Sequence, residues 1–282
     1  MNKRLFLINP KSPHEKFNSS VIIPPLSLAY IAAMTPDTWD VELVDDNLIG
    51  YSREAEERAL RLFKGMIDRK LSKIWATQAS VNFANNDEVL YYAAKSGCRA
   101  VAIGFESVSL ESLTLMNKNL NVMFGPDKYA EIVKKLHDHG IMVYGQTILA
   151  NEMDTAETFK ETVDFYNYAR IDVPNPNLLV PLPGTRLFEK LKTEKRLLRQ
   201  HFPGDWILYS GVKVLFKPNN LTVKQINDGC LYIYKNLFTI WQILLRAFRG
   251  FLRFKSIRCA IFLWAVNIYV RETLFNKIKR GL

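Results

Sequence analysis

The sequence contains little cysteine. Among 282 residues there are three, Cys98, Cys230 and Cys259, and they are far apart in the chain. No pair has a metal-ligating spacing such as Cys-x-x-Cys, and scattered thiols do not form the disulfide framework that is typical of small secreted domains. We therefore expect no metal site and a reducing, cytoplasmic compartment.

Long hydrophobic runs are also missing. In the C-terminal region the longest uncharged stretch, residues 259–270, has twelve residues, whereas a transmembrane helix needs about 20. At the amino terminus, two basic residues precede an apolar run of only four, and a secretory signal needs about 7–15. The sequence therefore predicts no membrane span and no signal peptide.

Acidic residues are nearly absent from residue 235 onward. This region has ten Lys and Arg but one acid, Glu272, so it holds about nine of the ten excess positive charges. Basic residues that alternate with Trp, Phe and Leu are typical of a helix in the interface of an anionic membrane. We expect residues 235–282 to bind such a surface peripherally, on the inner face of the membrane, and we expect no nucleic-acid partner. The alternative is a helical cap that packs on the rest of the protein.

The remaining sequence alternates apolar strands with helices. Strands are predicted at residues 4–9, 41–44, 74–79, 99–105, 141–150 and 177–180, and helices at 24–34, 53–70, 85–97, 127–139 and 154–169. This alternation is typical of α/β proteins with a parallel sheet. We predict about six parallel strands, either open and doubly wound or part of a TIM-like barrel, and a C-terminal helical extension. In that extension Thr222 and Gln225 form a capping box for a helix that runs to about residue 248.

Ligands of parallel α/β folds bind at the carboxyl ends of the strands. The polar and glycine residues at those positions are therefore the candidates: Gln78, Ser80, Gly104, Glu106, Ser107, Gln146, Thr147, Asn151, Glu152, Pro183, Gly184 and Thr185. Structural interpretations remain open for several. Glu106 and Ser107 would also suit a helix cap, Gln78 a bond to a neighbouring strand, and Gly184 a simple turn. Asp154 with Glu157 is interpreted as a helix cap.

Six short runs carry a resemblance to a known family. They are Ala76-Thr77-Gln78-Ala79-Ser80, Ser96-Gly97-Cys98, Ile103-Gly104-Phe105-Glu106-Ser107, Met116-Asn117-Lys118, Leu136-His137-Asp138-His139-Gly140-Ile141 and Pro181-Leu182-Pro183-Gly184-Thr185. In these runs and their order, residues 73–216 resemble the second half of the core of cobalamin-binding radical S-adenosylmethionine (SAM) proteins with a C-terminal domain of unassigned function. Residues 24–29 and 44–47 resemble the cobalamin domain of the same family.

The resemblance implies a domain organisation and a function. Residues 1–50 would be a remnant of a cobalamin-binding domain, 51–216 the C-terminal part of a radical SAM core, and 217–282 a basic amphipathic extension. The family's chemistry is B12-dependent, SAM-dependent radical methyl transfer or rearrangement, here on a lipid-like substrate. The residues implied to bind the nucleoside cofactor SAM are Gln78, Gly104, Glu106, Ser107, Thr147, Pro183 and Gly184.

The sequence departs from the family in three places. The Cys-x3-Cys-x2-Cys loop that holds a [4Fe–4S] cluster is missing, and so is the Asp-x-His-x-x-Gly segment that supplies a histidine to cobalt. Relatives tend to have glycine where this chain has Ala150. The resemblance thus implies a deletion near residues 50–57, and a protein impaired in catalysis by the loss of its cluster and cobalamin ligands. No catalytic residue is assigned, and the alternative function is a non-catalytic remnant, or pseudoenzyme, at a membrane surface.

Such a deletion would remove the first two strands of the core and expose an edge of the sheet. We therefore hypothesise that the N-terminal remnant docks in their place. That hypothesis predicts backbone pairing of residues 4–9 or 41–44 with residues 74–79, in one continuous six-stranded sheet.

Overall fold

The computed structural model describes residues 3–7, 39–43, 53–71 and 74–279. The helix predicted at residues 24–34 lies outside these ranges. The chain divides into two compact units, residues 1–46 and 47–282.

The first unit contains two parallel strands, β1 (Lys3–Leu7) and β2 (Trp39–Leu43). Lys3 lies opposite Trp39, and Leu7 lies opposite Leu43. Both strands overlap the predicted ones, because β1 contains the apolar run Leu5-Phe6-Leu7 and β2 alternates apolar and acidic residues with the period of a strand.

The second unit is built on a four-stranded parallel sheet. Its strands are β3 (Trp75–Ala79), β4 (Cys98–Glu106), β5 (Met142–Leu149) and β6 (Val173–Leu178), and they neighbour one another in chain order. The predicted α/β class with a parallel sheet is confirmed. In the described strands, however, β3 pairs only with β4, and β1 and β2 pair with each other. The hypothesis of one continuous six-stranded sheet is therefore wrong, because hydrophobic patterning identifies strands but does not specify their partners.

The position of β6 also differs from the prediction, which placed this strand at residues 177–180. The strand begins at Val173 and includes Pro174 and Pro176. Proline normally argues against a strand because it cannot donate a ladder hydrogen bond. Among the described strands β6 pairs only with β5, so the missing N–H groups are tolerated at this edge.

Helices connect and cover the strands. They are α1 (Arg53–Asp68), α2 (Asp87–Lys95), α3 (Leu110–Leu115), α4 (Asn119–Phe124), α5 (Tyr129–Asp138), α6 (Ala156–Tyr168), α7 (Arg186–Thr193), α8 (Val223–Leu237), α9 (Ile240–Phe254) and α10 (Ile257–Lys279). Short 3-10 helices span Val81–Asn85, Pro126–Lys128 and Gly204–Leu208. No helix within the described residues is both long enough and apolar enough to cross a membrane.

Two of the predicted helix boundaries need correction. The cap of α6 is Thr155 with Thr158, and Asp154 is instead buried in contacts with other residues. The capping box of Thr222 and Gln225 is present at the start of α8. That helix ends at Leu237 rather than near residue 248, because the Thr239 hydroxyl accepts a hydrogen bond from the Gln242 backbone and so begins α9.

The two faces of the sheet have different partners. On one face, alternate residues of β4 (Val101, Ile103 and Phe105) are fully buried in the main core. The Phe105 ring packs 4.8 Å from that of Tyr129 on α5, measured between ring centroids. On the other face, Met142 and Val173 pack against Leu263 of α10. The C-terminal helix therefore covers the amino half of this second face.

A buried aspartate fastens the C-terminal helices to the sheet. Asp172, just before β6, accepts hydrogen bonds from Arg253 of α9 (2.8 Å) and the Val143 backbone (2.8 Å), and its carboxylate lies 2.9 Å from His137 Nε2. Asn267 of α10 donates to the Asp172 carbonyl (3.0 Å). Residues 223–279 thus pack on the sheet through a network that joins four elements.

Candidate functional site

The carboxyl end of β4 has an irregular backbone. Gly104 is paired with Gln146 and Glu106 with Thr147, so that β4 contains one extra residue relative to β5. Glu106 has a φ of 66°, in the left-handed region that non-glycine residues rarely adopt. Its carboxylate accepts a 2.7 Å bond from Lys118. Backbone strain of this kind persists where the surroundings enforce it, and it is concentrated at ligand sites.

Two side chains hold this strand end in place. Asn121 donates through Nδ2 to the carbonyls of Gly104 (3.0 Å) and Phe105 (3.1 Å), and the Tyr129 hydroxyl donates to the Phe105 carbonyl (2.9 Å). Burial raises the pKa of Tyr129 above its usual value, so the phenol remains a donor at neutral pH. Asn121 and Tyr129 therefore satisfy the carbonyls of Gly104 and Phe105, while the Glu106 side chain remains partly exposed.

A row of three residues crosses the sheet beside Glu106. Gly104, Gln146 and Asn175 are in register on three adjacent strands and therefore project from the same face. Asn175 is 6% exposed, and its Nδ2 has no hydrogen-bond partner among the described residues. Gly104 has no side chain, and the Glu106 carboxylate lies over it, since a Cβ on Gly104 would stand 2.7 Å from Glu106 Oε1. Gln78 lies on the same face one row earlier, opposite Ala102.

The end of β5 is also strained and tied down. Ala150, directly after the strand, has a φ of 64° and is buried. Asp154 accepts hydrogen bonds from Asn151 Nδ2 (2.7 Å) and from the Ser112 hydroxyl of α3 (3.0 Å). Burial raises the pKa of Asp154 to about 6 despite these bonds. The network joins the loop after β5 to the helix that follows β4.

The other predicted site residues have different surroundings. Thr147 is buried on the helix-covered face, where its hydroxyl lies 3.0 Å from that of Tyr166. Ser107 is buried, and its hydroxyl accepts from the Ser109 backbone (3.1 Å). Gly184 follows Pro183 in the loop after β6 with a φ of 84°, and a Cβ on it would meet no neighbour within 4 Å. The cofactor roles of Thr147, Ser107, Pro183 and Gly184 remain predictions.

Sequence reasoning did not identify the supports of this site. Asn121, Tyr129 and Asn175 carry no motif, since their role arises from tertiary contacts. Lys118 lay in the run Met116-Asn117-Lys118, which could have suggested a cation to pair with Glu106. The sequence comparison noted glycine in relatives at the position of Ala150 but did not predict its backbone conformation, and the φ of 64° there is one that favours glycine.

The cysteines do not fit a [4Fe–4S] cluster. Cys98 lies at the start of β4, Cys230 on α8 and Cys259 on α10. Burial raises the pKa of both Cys98 and Cys230 to about 12, whereas cluster ligands are thiolates. No group of three His, Cys, Asp or Glu residues within the described ranges is arranged to hold a metal.

The histidines do not suggest a cobalt ligand either. His137 lies against Asp172, and His139 Nδ1 lies 2.9 Å from the Lys135 carbonyl, both on or beside α5. Neither stands in the segment that supplies the family's cobalt ligand. We therefore derive no step through a cluster or through cobalamin.

Comparisons with known proteins agree with the resemblance. The chain is 33% identical over 179 residues to bacteriochlorophyllide d C-12(1)-methyltransferase of Chlorobaculum tepidum, covering 64% of this chain and 37% of that protein. It is 29% identical over 158 residues to hopanoid C-2 methylase of Rhodopseudomonas palustris, covering 56% of this chain and 29% of that protein. The chain thus spans about a third of the length of these curated relatives. No family model matches the sequence.

The fold has a counterpart among solved structures. The cobalamin-dependent S-adenosylmethionine radical enzyme OxsB, with aqua-cobalamin and S-adenosylmethionine bound, aligns with 83% of this chain and 39% of its own, at 13% identity and a TM-score of 0.50. At that identity the likeness concerns the fold alone. The sequence relatives support the resemblance to cobalamin-binding radical SAM proteins, and the chain corresponds to a part of their length.

Proposed function

We propose that the carboxyl end of β3–β6 binds a nucleoside cofactor, S-adenosylmethionine or its product S-adenosylhomocysteine. The observation that carries the proposal is the row of Gly104, Gln146 and Asn175, with a buried Asn175 amide that lacks a partner. A buried donor without an acceptor costs about 1–3 kcal/mol, and a ligand acceptor would remove that cost. The Glu106 carboxylate lies over Gly104, beside this row, where it can contact the same ligand.

Glu106 and Lys118 complement the charged parts of such a ligand. SAM carries ribose hydroxyls, an ammonium group and a carboxylate. The Glu106 carboxylate can accept hydrogen bonds from hydroxyls or from an ammonium group, and Lys118 can pair with a carboxylate. Because Asn121 and Tyr129 already satisfy the backbone beneath, binding would require little rearrangement of the strand end.

The chemistry that follows binding is limited by the cysteines. In radical SAM proteins the reduced cluster supplies the electron that cleaves SAM, and this chain has no cysteines that could hold one. We infer that the chain alone does not perform the radical methyl transfer, or the rearrangement of a lipid-like substrate, that the resemblance implies. The second candidate function is therefore a non-catalytic protein that retains the nucleoside site.

Calorimetry of the full chain with SAM and with S-adenosylhomocysteine tests the nucleoside site. We expect heat of binding, and about a tenfold or larger loss of affinity in Glu106→Gln, because hydrogen bonds to a charged group are worth about 1.5–3 kcal/mol. Glu111→Gln is the matched control, since Glu111 lies in the first turn of α3, five residues from Glu106. The absence of heat with either ligand at millimolar concentration would overturn the proposal.

Anaerobic reconstitution with iron and sulfide tests the chemical limit separately. We expect no visible absorbance of a cluster and no stoichiometric iron after desalting. About four irons per chain, together with the broad absorbance of a [4Fe–4S] cluster, would show that the inference from the cysteines is wrong.

A further inference from the structure

The two C-terminal helices have a large apolar surface that nothing in the described residues covers. Six residues of α9 share one helical face and are exposed: Ile240, Trp241, Leu244, Phe248, Phe251 and Leu252. Trp241 is 72% exposed and Phe248 57% exposed. The opposite face of α9 is buried through Ile243, Arg246, Ala247 and Gly250. We call the six exposed residues the α9 apolar face, and its size is typical of a contact surface rather than of scattered surface residues.

Contacts on the buried face of α9 fix the rotation of the helix and so keep its apolar face exposed. Arg246 is buried, donates to the Leu237 carbonyl (2.6 Å) and reaches Asn267 of α10 (3.2 Å). Gly250 lies directly against Leu263, so that α9 and α10 approach closely. Arg253 is bound to Asp172. A rotation of α9 that buried its apolar face would break all of these contacts.

A positively charged cleft adjoins the carboxyl end of α9. It has a volume of about 430 Å3 and lies at the amino end of the sheet. Its charged and titratable lining residues are Lys95, Arg99, His139 and Arg253, and Phe254 and Tyr91 also contribute to it. No carboxylate is among the residues that line it. The cleft therefore offers donors and positive charge to a phosphate group.

Within the cleft, Asp172 neutralises Arg253 (2.8 Å), so Lys95 and Arg99 carry its positive charge. Burial and the neighbouring cations Arg170 and Arg253 lower the pKa of Arg249, which shows that cations crowd this side of α9. Lys255, in the turn after α9, and Arg258, in the first turn of α10, are both exposed. From residue 235 onward the ten basic residues face a single acid. Each Lys or Arg near an anionic membrane adds attraction of about 1 kcal/mol.

We propose that the protein docks on an anionic lipid bilayer, with the α9 apolar face in the headgroup region and with Lys95 and Arg99 of the cleft on a lipid phosphate. Apolar area and positive charge on one element are the two contributions that hold an amphipathic helix at such an interface. The charge excess favours an anionic bilayer over a protein partner or a second copy of this equally basic chain. The proposal does not rest on the nucleoside site, which lies at the other end of the strands.

Co-sedimentation of the full chain with vesicles tests the docking. The probes are vesicles of phosphatidylcholine alone and of phosphatidylcholine with about a third phosphatidylglycerol. We expect binding to the second kind only, weakened by salt. The double substitution Trp241→Gln with Phe248→Gln should lower the partition coefficient at least tenfold, and Lys95→Gln should lower it about fivefold.

Matched controls and a second measurement make the outcome decisive. Tyr168→Gln and Ile207→Gln remove exposed hydrophobic residues elsewhere and should leave partitioning unchanged. Circular dichroism establishes that the variants are folded. Equal binding to both kinds of vesicle, no binding to either, or unchanged binding of the double variant would overturn the proposal. So would sedimentation showing that the α9 apolar face mediates self-association instead.

Discussion

The two ends of the four-stranded sheet use their polar residues in opposite ways. At the amino end, the Asp172 carboxylate is saturated by Arg253, His137 and the Val143 backbone, all within 2.9 Å. At the carboxyl end, Glu106 has one cation within 2.7 Å, and the Asn175 amide has no acceptor in the part of the chain that the structure describes. A saturated carboxylate fastens elements together, whereas unused hydrogen-bonding capacity is available to a ligand.

The two ends of the sheet therefore have different roles: the amino end holds structural elements together, and the carboxyl end carries the candidate binding site. The amino end connects the sheet with α9 and α10, so its charges contribute to stability and to the orientation of the C-terminal helices. At the carboxyl end, Glu106 and Ala150 have strained backbone conformations with positive φ, which the surrounding contacts stabilise. Substitutions at the two ends should therefore differ in whether they change stability or binding.

The largest effect is expected at the amino end. Asp172→Ala leaves Arg253 buried without its partner, and breaking a buried ion pair costs about 3–5 kcal/mol. Urea denaturation should show a loss of this size. Asp138→Ala, which removes an exposed pair with Lys134, is the control and should cost at most about 1 kcal/mol. Equal losses in the two variants would contradict the saturation of Asp172.

The carboxyl end should show a distinct pH dependence. Burial raises the pKa of Asp154 to about 6, whereas an aspartate in an unfolded chain titrates near 3.9, so the folded protein binds this proton more tightly than the unfolded chain does. The contribution of Asp154 is therefore greatest below about pH 4 and is lost as the pH rises to about 6, by up to about 3 kcal/mol.

Comparison of the wild type with Asp154→Asn isolates that contribution. The substitution keeps the shape of the side chain but cannot ionise. The free energy of unfolding of the variant, measured by urea titration at several pH values, should vary less between pH 4 and 6 than that of the wild type. Parallel pH curves for the two proteins would show that Asp154 does not titrate in this range.

The smallest expected effect is a gain in stability at Ala150. Glycine adopts a φ of 64° without the Cβ clash, which costs about 1–2 kcal/mol for alanine. Glycine also increases the conformational entropy of the unfolded chain, which offsets part of this gain. Ala150→Gly should therefore raise the free energy of unfolding by about 0.5–1 kcal/mol.

A glycine at an ordinary helical position provides the reference for Ala150. Ala130→Gly on α5 should have the opposite sign and a cost of about 0.5–1 kcal/mol. Thermal unfolding of both variants distinguishes backbone strain at the site from a general effect of glycine. A loss of stability in Ala150→Gly would show that the strain is not relieved by removal of the Cβ.

Local signals in the sequence predicted much of the second unit. The apolar runs around Val101 and Val143 predicted β4 and β5, and Thr222 with Gln225 predicted the start of α8, because strand runs and caps depend on neighbouring residues alone. The partners of the strands, the break after Leu237 and the prolines in β6 were not predicted. Each depends on which element lies beside it in space.

The composition of the chain determined two properties by itself: three scattered cysteines cannot form the family's cluster loop, and the excess of basic residues after residue 235 is independent of the fold. The tertiary structure alone decided that Asp172 receives three donors, that the Asn175 side-chain NH2 has no acceptor among the described residues, and that the apolar side of α9 faces outward. Hydrogen-bond satisfaction and exposure are properties of groups brought together from distant parts of the chain, so no local pattern in the sequence records them.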